Sequence, residues 1–129
     1  MLQILKLHHI AIIVSDYERS KHFYTKLLGL QILQETYRQK RDSYKLDLAI
    51  GDTYCIELFS FHSPPKRMNN PEACGLRHIA FAVKSVKETV EDLKKDQIEV
   101  ETIRIDPLTQ KKYTFFRDPD DLPIEIYEN

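Results

Sequence analysis

His9-Ile10-Ala11-Ile12-Ile13-Val14 is echoed 69 residues later by His78-Ile79-Ala80-Phe81-Ala82-Val83. Each run is rich in residues that favour strands, opens on a histidine and has alanine two positions on. Side chains alternate along a strand, so His9, Ala11 and Ile13 share one face while Ile10, Ile12 and Val14 share the other. Working outward, Asp16 and Ser85 stand just after the two runs, and both residue types accept from the unpaired amides that open a helix. Ser20, Phe23, Tyr24 and Leu27 then follow helical spacing, as do Val86, Val90 and Leu93. Ser85-Val86-Lys87-Glu88 has the form of a capping box, and Gly29 suits the left-handed close of the first helix.

The remaining strands complete a repeat. In the first half, strands are expected over residues 5–14, 31–37, 44–50 and 53–61, the last two forming a hairpin around Gly51-Asp52. In the second half they are expected over 76–83, 98–105, 113–116 and 122–127. Polar loops fill 38–43 and 107–112. The order is β-α-β-β-β, twice. The expected fold is therefore α+β, with two tandem βαβββ modules forming curved mixed sheets around a shared cleft. Module one runs 5–62, a proline-containing linker 63–73, and module two 74–128.

The last strands repeat as well: Ile56-Glu57-Leu58 matches Ile124-Glu125-Ile126. His9 and Glu57 are 48 residues apart, His78 and Glu125 47. Each module thus offers an aliphatic face for its helix and a second face bearing a histidine, a small residue and a glutamate. Taken singly, a strand histidine is usually a hydrogen-bonded core residue and a strand glutamate a solvated one. All four at repeated spacing point to a metal site of His9, Glu57, His78 and Glu125. Two imidazoles and two carboxylates suit one borderline divalent ion per site, with Ni, Zn, Co, Mn or Fe all compatible. Glu57 and Glu125 double as candidate proton-transfer groups. Of the basic residues that could grip an anionic substrate (Arg38, Arg41, Lys45, Arg67, Arg77, Lys111 and Lys112), Arg38 and Arg41 rank first, being next to the site strands.

Composition sets outer limits. The chain is 129 residues long, 42% hydrophobic and 30% charged, the profile of a folded domain. A net charge of -1 gives no electrostatic case for nucleic acid or an anionic membrane. The aliphatic run from Ile10 to Val14 is far too short to span a bilayer. The first residues lack the pattern of a signal peptide. Cys55 and Cys74 give no disulfide framework and read as structural thiols, so a cytoplasmic location is expected.

The residues quoted, with Gly75-Leu76-Arg77-His78 and Asp118-Pro119-Asp120-Asp121-Leu122-Pro123-Ile124-Glu125, resemble the motifs of the vicinal oxygen chelate superfamily. That grouping unites glyoxalases, bleomycin resistance proteins and dioxygenases, and the likeness is strongest to its glyoxalase I-like members. The resemblance spans nearly the whole chain. It implies His9, Glu57, His78 and Glu125 as metal ligands, commonly a homodimer, and a small-molecule substrate. The implied activity is that of a metal-dependent lyase or isomerase of the lactoylglutathione lyase type. Its substrate would be a small α-hydroxycarbonyl or hemithioacetal compound, passing through an enediolate. The alternatives are an acyl-thioester epimerase, a ring-cleaving dioxygenase, a thiol transferase of drug resistance, or a protein that sequesters a ligand without turnover. Glutathione-using members tend to carry an arginine where this chain has Ile13, and an asparagine where it has Phe61. The usual Asp-Pro-Asp-Gly turn has Asp121 in place of glycine. The chain also resembles a branch of glyoxalase-like proteins that share Arg41-Asp42-Ser43 and Thr109-Gln110-Lys111.

Overall fold

The computed structural model describes every residue from Met1 to Asn129, and they separate into two units, Met1–Pro65 and Lys66–Asn129. The first unit contains β1 (Ile10–Val14), α1 (Tyr17–His22), β2 (Gln31–Arg38), β3 (Ser43–Ile50) and β4 (Thr53–Ser60). The second contains β5 (Ile79–Val83), α2 (Val86–Lys95), β6 (Arg104–Ile105), β7 (Lys112–Arg117) and β8 (Pro123–Glu128). Each unit is therefore βαβββ, and the α+β class expected from the repeat is found.

Both sheets are mixed, and both have the same order: β1-β4-β3-β2 in one unit, β5-β8-β7-β6 in the other. The last three strands run antiparallel to one another, which returns the final strand parallel to the first. The helix is the crossover that a parallel pair demands. Register repeats too. Ala11 stands opposite Glu57 in the first sheet, and Ala80 opposite Glu125 in the second.

Alternation separates the faces as the sequence requires. Ile12 and Val14 are buried while Ala11 and Ile13 are exposed. Tyr24, Leu46, Leu48, Ile56 and Leu58 complete the first core; Ile79, Val86, Val90, Leu93, Phe116, Ile124 and Ile126 form the second. Full burial of such a side chain contributes about 1.5–3 kcal/mol. Helices of six and ten residues are marginal alone, so this packing holds them. The caps contribute locally. Asp16 accepts from the amide of Arg19, and Ser85 from that of Glu88.

Five departures from the sequence reading are local. β1 starts at Ile10 rather than residue 5, because β4 offers partners only from Ile56 to Ser60; Leu2, Leu5 and Leu7 lie exposed ahead of it. β5 likewise starts at Ile79. The strand expected over 98–105 shrinks to Arg104–Ile105. Beside it the Thr114 hydroxyl donates to the carbonyls of Glu101 (2.8 Å) and Thr102 (3.2 Å), taking acceptors that a ladder would use. The first helix widens into a π turn over Phe23–Leu27 before Gly29, at φ +78°, closes it. The segment read as linker is partly structural: Arg67 binds the carbonyls of Leu76 and Arg77, and Asn69 that of Asp121, all in the second unit.

Candidate functional site

In the first unit β1 and β4 bring one predicted pair together. His9 sits one residue before β1, two positions from Ala11, and its Nε2 contacts Glu57 Oε2. The Glu57 side chain is 6% exposed. Its other oxygen accepts from Lys45 Nζ at 2.7 Å, and Lys45 also lies 3.2 Å from Asp47. Tyr54 donates its phenol hydrogen to Glu57 as well. Burial pushes the Glu57 carboxyl up, but the donors Lys45 and Tyr54 outweigh it and hold the group below the usual carboxylate range. Burial and the adjacent carboxylate push the Tyr54 phenol up to about 12.

Tyr54 is three residues from Glu57, so strict alternation would place it on the opposite face. A register shift removes the conflict. Leu48 pairs with Ile56 and Ala49 with Tyr54, so Cys55 is an extra residue on β4. The bulge inverts the alternation and delivers Tyr54 to the carboxylate. It also withdraws Cys55, whose thiol lies 3.8 Å from the Leu48 carbonyl and is pushed up by burial. Nothing in the sequence marks this bulge. His8 packs at the edge, its Nδ1 2.8 Å from that of His9 and its ring T-shaped to Tyr54.

The second unit repeats the pair in other surroundings. His78 Nε2 lies 3.1 Å from Glu125 Oε2, with side chains 27% and 14% exposed. Asp47 and Lys45 flank Glu57 on β3; at the matching register positions on β7, Glu125 meets Phe115 and Tyr113. Phe115 stacks edge-on against His78 at 5.2 Å. Glu57 is thus fixed by several donors, whereas Glu125 stands among aromatic rings with His78 as its close partner. His78 also lines a pocket of about 150 Å³ whose walls include Arg67, Arg77, Arg104, Phe115 and Arg117.

The expected ligands are gathered two by two: His9 with Glu57, His78 with Glu125. Within either unit, no group of three or more His, Cys, Asp or Glu side chains collects around one point. In donor chemistry the pairs suit a divalent ion, each presenting an imidazole Nε2 and a carboxylate oxygen beside an alanine. Arg38 and Arg41 lie in the first unit, not among the second unit's residues. Arg38 donates to Ser43 Oγ at 2.7 Å and lies over the Phe59 ring at 4.7 Å, while Arg41 is exposed in a 3-10 turn. Arg67 and Arg77, among the residues named from the sequence, do line the pocket. Arg104 and Arg117 were not foreseen; alternation within short strands does not say which basic residues converge.

Paired βαβββ units with a histidine and a glutamate at matching register define a class of protein, and comparison agrees. The chain belongs to the Glyoxalase/Bleomycin resistance protein/Dioxygenase superfamily, which matches residues 6–126. It is 60% identical over 122 residues to the uncharacterized protein YwkD of Bacillus subtilis (strain 168), covering 95% of each chain. A glyoxalase family protein from Enterococcus faecalis has a solved structure 43% identical, with a TM-score of 0.88 over 95% of this chain and 97% of that one. The trypanothione-dependent glyoxalase I of Leishmania major is 26% identical, with a TM-score of 0.74 over 97% of this chain and 87% of that one. No helix is long and apolar enough to cross a membrane.

Proposed function

We propose that the protein is a metal-dependent, glyoxalase I-like lyase or isomerase acting on a small α-hydroxycarbonyl or hemithioacetal substrate. In this reading His9, Glu57, His78 and Glu125 hold one divalent ion, each unit supplying two ligands, either within one chain or across a homodimer. The observation that carries it is the repeated register: Ala11 opposite Glu57 and Ala80 opposite Glu125, each glutamate paired with the histidine two residues before that alanine. Unrelated packing residues have no reason to recur at one sheet position in both units.

The ion would supply Lewis acidity to two neighbouring substrate oxygens as negative charge builds on them. The chain's own groups divide the remaining work. Glu57, bonded to Lys45 and Tyr54, is immobilised as a carboxylate and serves as a fixed ligand. Glu125, bordered by Phe115 and Tyr113, is freer to swing and takes the proton from the substrate carbon, then returns it to the neighbouring carbon. Aromatic walls on that side limit the water that would compete for the proton.

Elemental analysis of the purified protein tests this, with turnover of hemithioacetals of several thiols measured after each divalent metal is restored. The expected result is one ion per His2Glu2 set, lost from the His9→Ala and His78→Ala variants with an affinity drop above about tenfold. Full metal uptake by both variants would refute the ligand set.

A further inference from the structure

The pocket beside His78 carries more positive charge than its own residues neutralise. Its walls bear four guanidinium groups, Arg67, Arg77, Arg104 and Arg117, against two carboxylates, Glu72 and Glu101. Arg77 Nε pairs with Glu72 at 2.8 Å, and Arg104 Nη2 with Glu101 at 2.8 Å. Arg67 spends its hydrogens on neutral acceptors: Asn69 Oδ1 at 2.7 Å and the Leu76 carbonyl at 2.6 Å. The Arg117 side chain, at the end of β7, takes part in neither of these ion pairs. Two pairs cancel and two positive charges remain. A cleft lined by such a surplus of one sign raises the local concentration of anions.

We propose that this pocket seats a doubly charged oxyanion head group, a phosphoryl group or a dicarboxylate, at the remote end of the substrate; this rests on the proposed function above. A monoanion would leave one charge unbalanced, and a dianion balances both. Guanidinium forks match phosphoryl and carboxylate oxygens two at a time. Arg104 is already oriented, its guanidinium 5.3 Å from the ring centres of both Tyr113 and Phe115. A volume of about 150 Å³ falls below the ~300 Å³ lower bound for whole drug-sized ligands, so it suits a head group. His78 lines the same pocket, which puts the reacting end of a small substrate within reach of the His78–Glu125 pair.

The test is calorimetric titration of chelator-treated full-length protein at low ionic strength with inorganic phosphate, malonate and acetate. Phosphate or malonate should bind at least about tenfold more tightly than acetate. Whichever dianion binds better identifies the source of the head group. Arg117→Gln should weaken the dianion at least about fivefold, and Glu101→Gln, which releases Arg104, should tighten it. A damaged fold cannot yield that gain. Equal binding of dianions and acetate, or dianion binding untouched by both variants, overturns the inference. Metal uptake measured after a divalent ion is restored to the same preparations separates the two proposals: normal uptake without dianion preference sinks only the head-group seat.

Discussion

Replacing Lys45 with methionine should lower stability while raising affinity for a divalent cation. Lys45 Nζ donates to Glu57 at 2.7 Å, and the Glu57 side chain is 6% exposed. A hydrogen bond between charged groups contributes about 1.5–3 kcal/mol. The Lys45 side chain is 31% exposed, so solvent screening reduces the expected loss to about 1–2 kcal/mol. At about 3–5 °C per kcal/mol for a chain of this length, the midpoint should fall by roughly 3–10 °C. The pH dependence has a definite sign. Glu57 is held below its ordinary value of 4.5, so its share is present above that value and lost as pH falls through the lowered one. Lys45 is raised above 10.5, chiefly by its bond to Glu57, so its share disappears as pH rises through the raised value. The gap between wild type and Lys45→Met should therefore be widest between these limits and shrink in acid. Metal affinity, read by competition with a chelating dye, should rise, because an ammonium beside a ligand carboxylate repels an incoming cation. Thermal melts across pH measure the first effect. A variant as stable as wild type at neutral pH, or one that binds metal more weakly, would refute the reasoning.

Other substitutions probe the remaining parts. Glu125→Gln should reduce turnover by at least about a hundredfold with a smaller loss of metal affinity, whereas Glu57→Gln should lose metal first; equal losses of both in Glu125→Gln would remove its role as base. Ile124, fully buried on β8, should cost about 2–5 kcal/mol when cut to alanine, read by denaturant midpoint. Asp118 accepts from the amides of Asp120 and Leu122, both at 2.9 Å, so Asp118→Ala should lose about 1–3 kcal/mol and loosen the turn into β8, visible as faster amide exchange at Leu122. In a spectrophotometric titration, Tyr54→Phe should remove one phenol that ionises near 12, above the ordinary 10.0.

The sequence alone determined the two halves and their common succession of elements along the chain. A histidine-led strand, a capped helix and a glutamate-bearing final strand recur at nearly equal spacing, and alternation assigns their buried and open faces. Such local signals depend on neighbours two to four residues apart, and these are legible in a linear string. The environment of each glutamate was decided by tertiary structure. Lys45 and Phe115 reach Glu57 and Glu125 only through strand pairing, and Tyr54 only through a bulge at Cys55 that breaks the two-residue period. Four arginines from a loop, a strand approach and two strands converge on His78, while Arg38 turns instead to Phe59. Convergence of residues distant in the chain depends on where backbone register places them, and one inserted residue changes it.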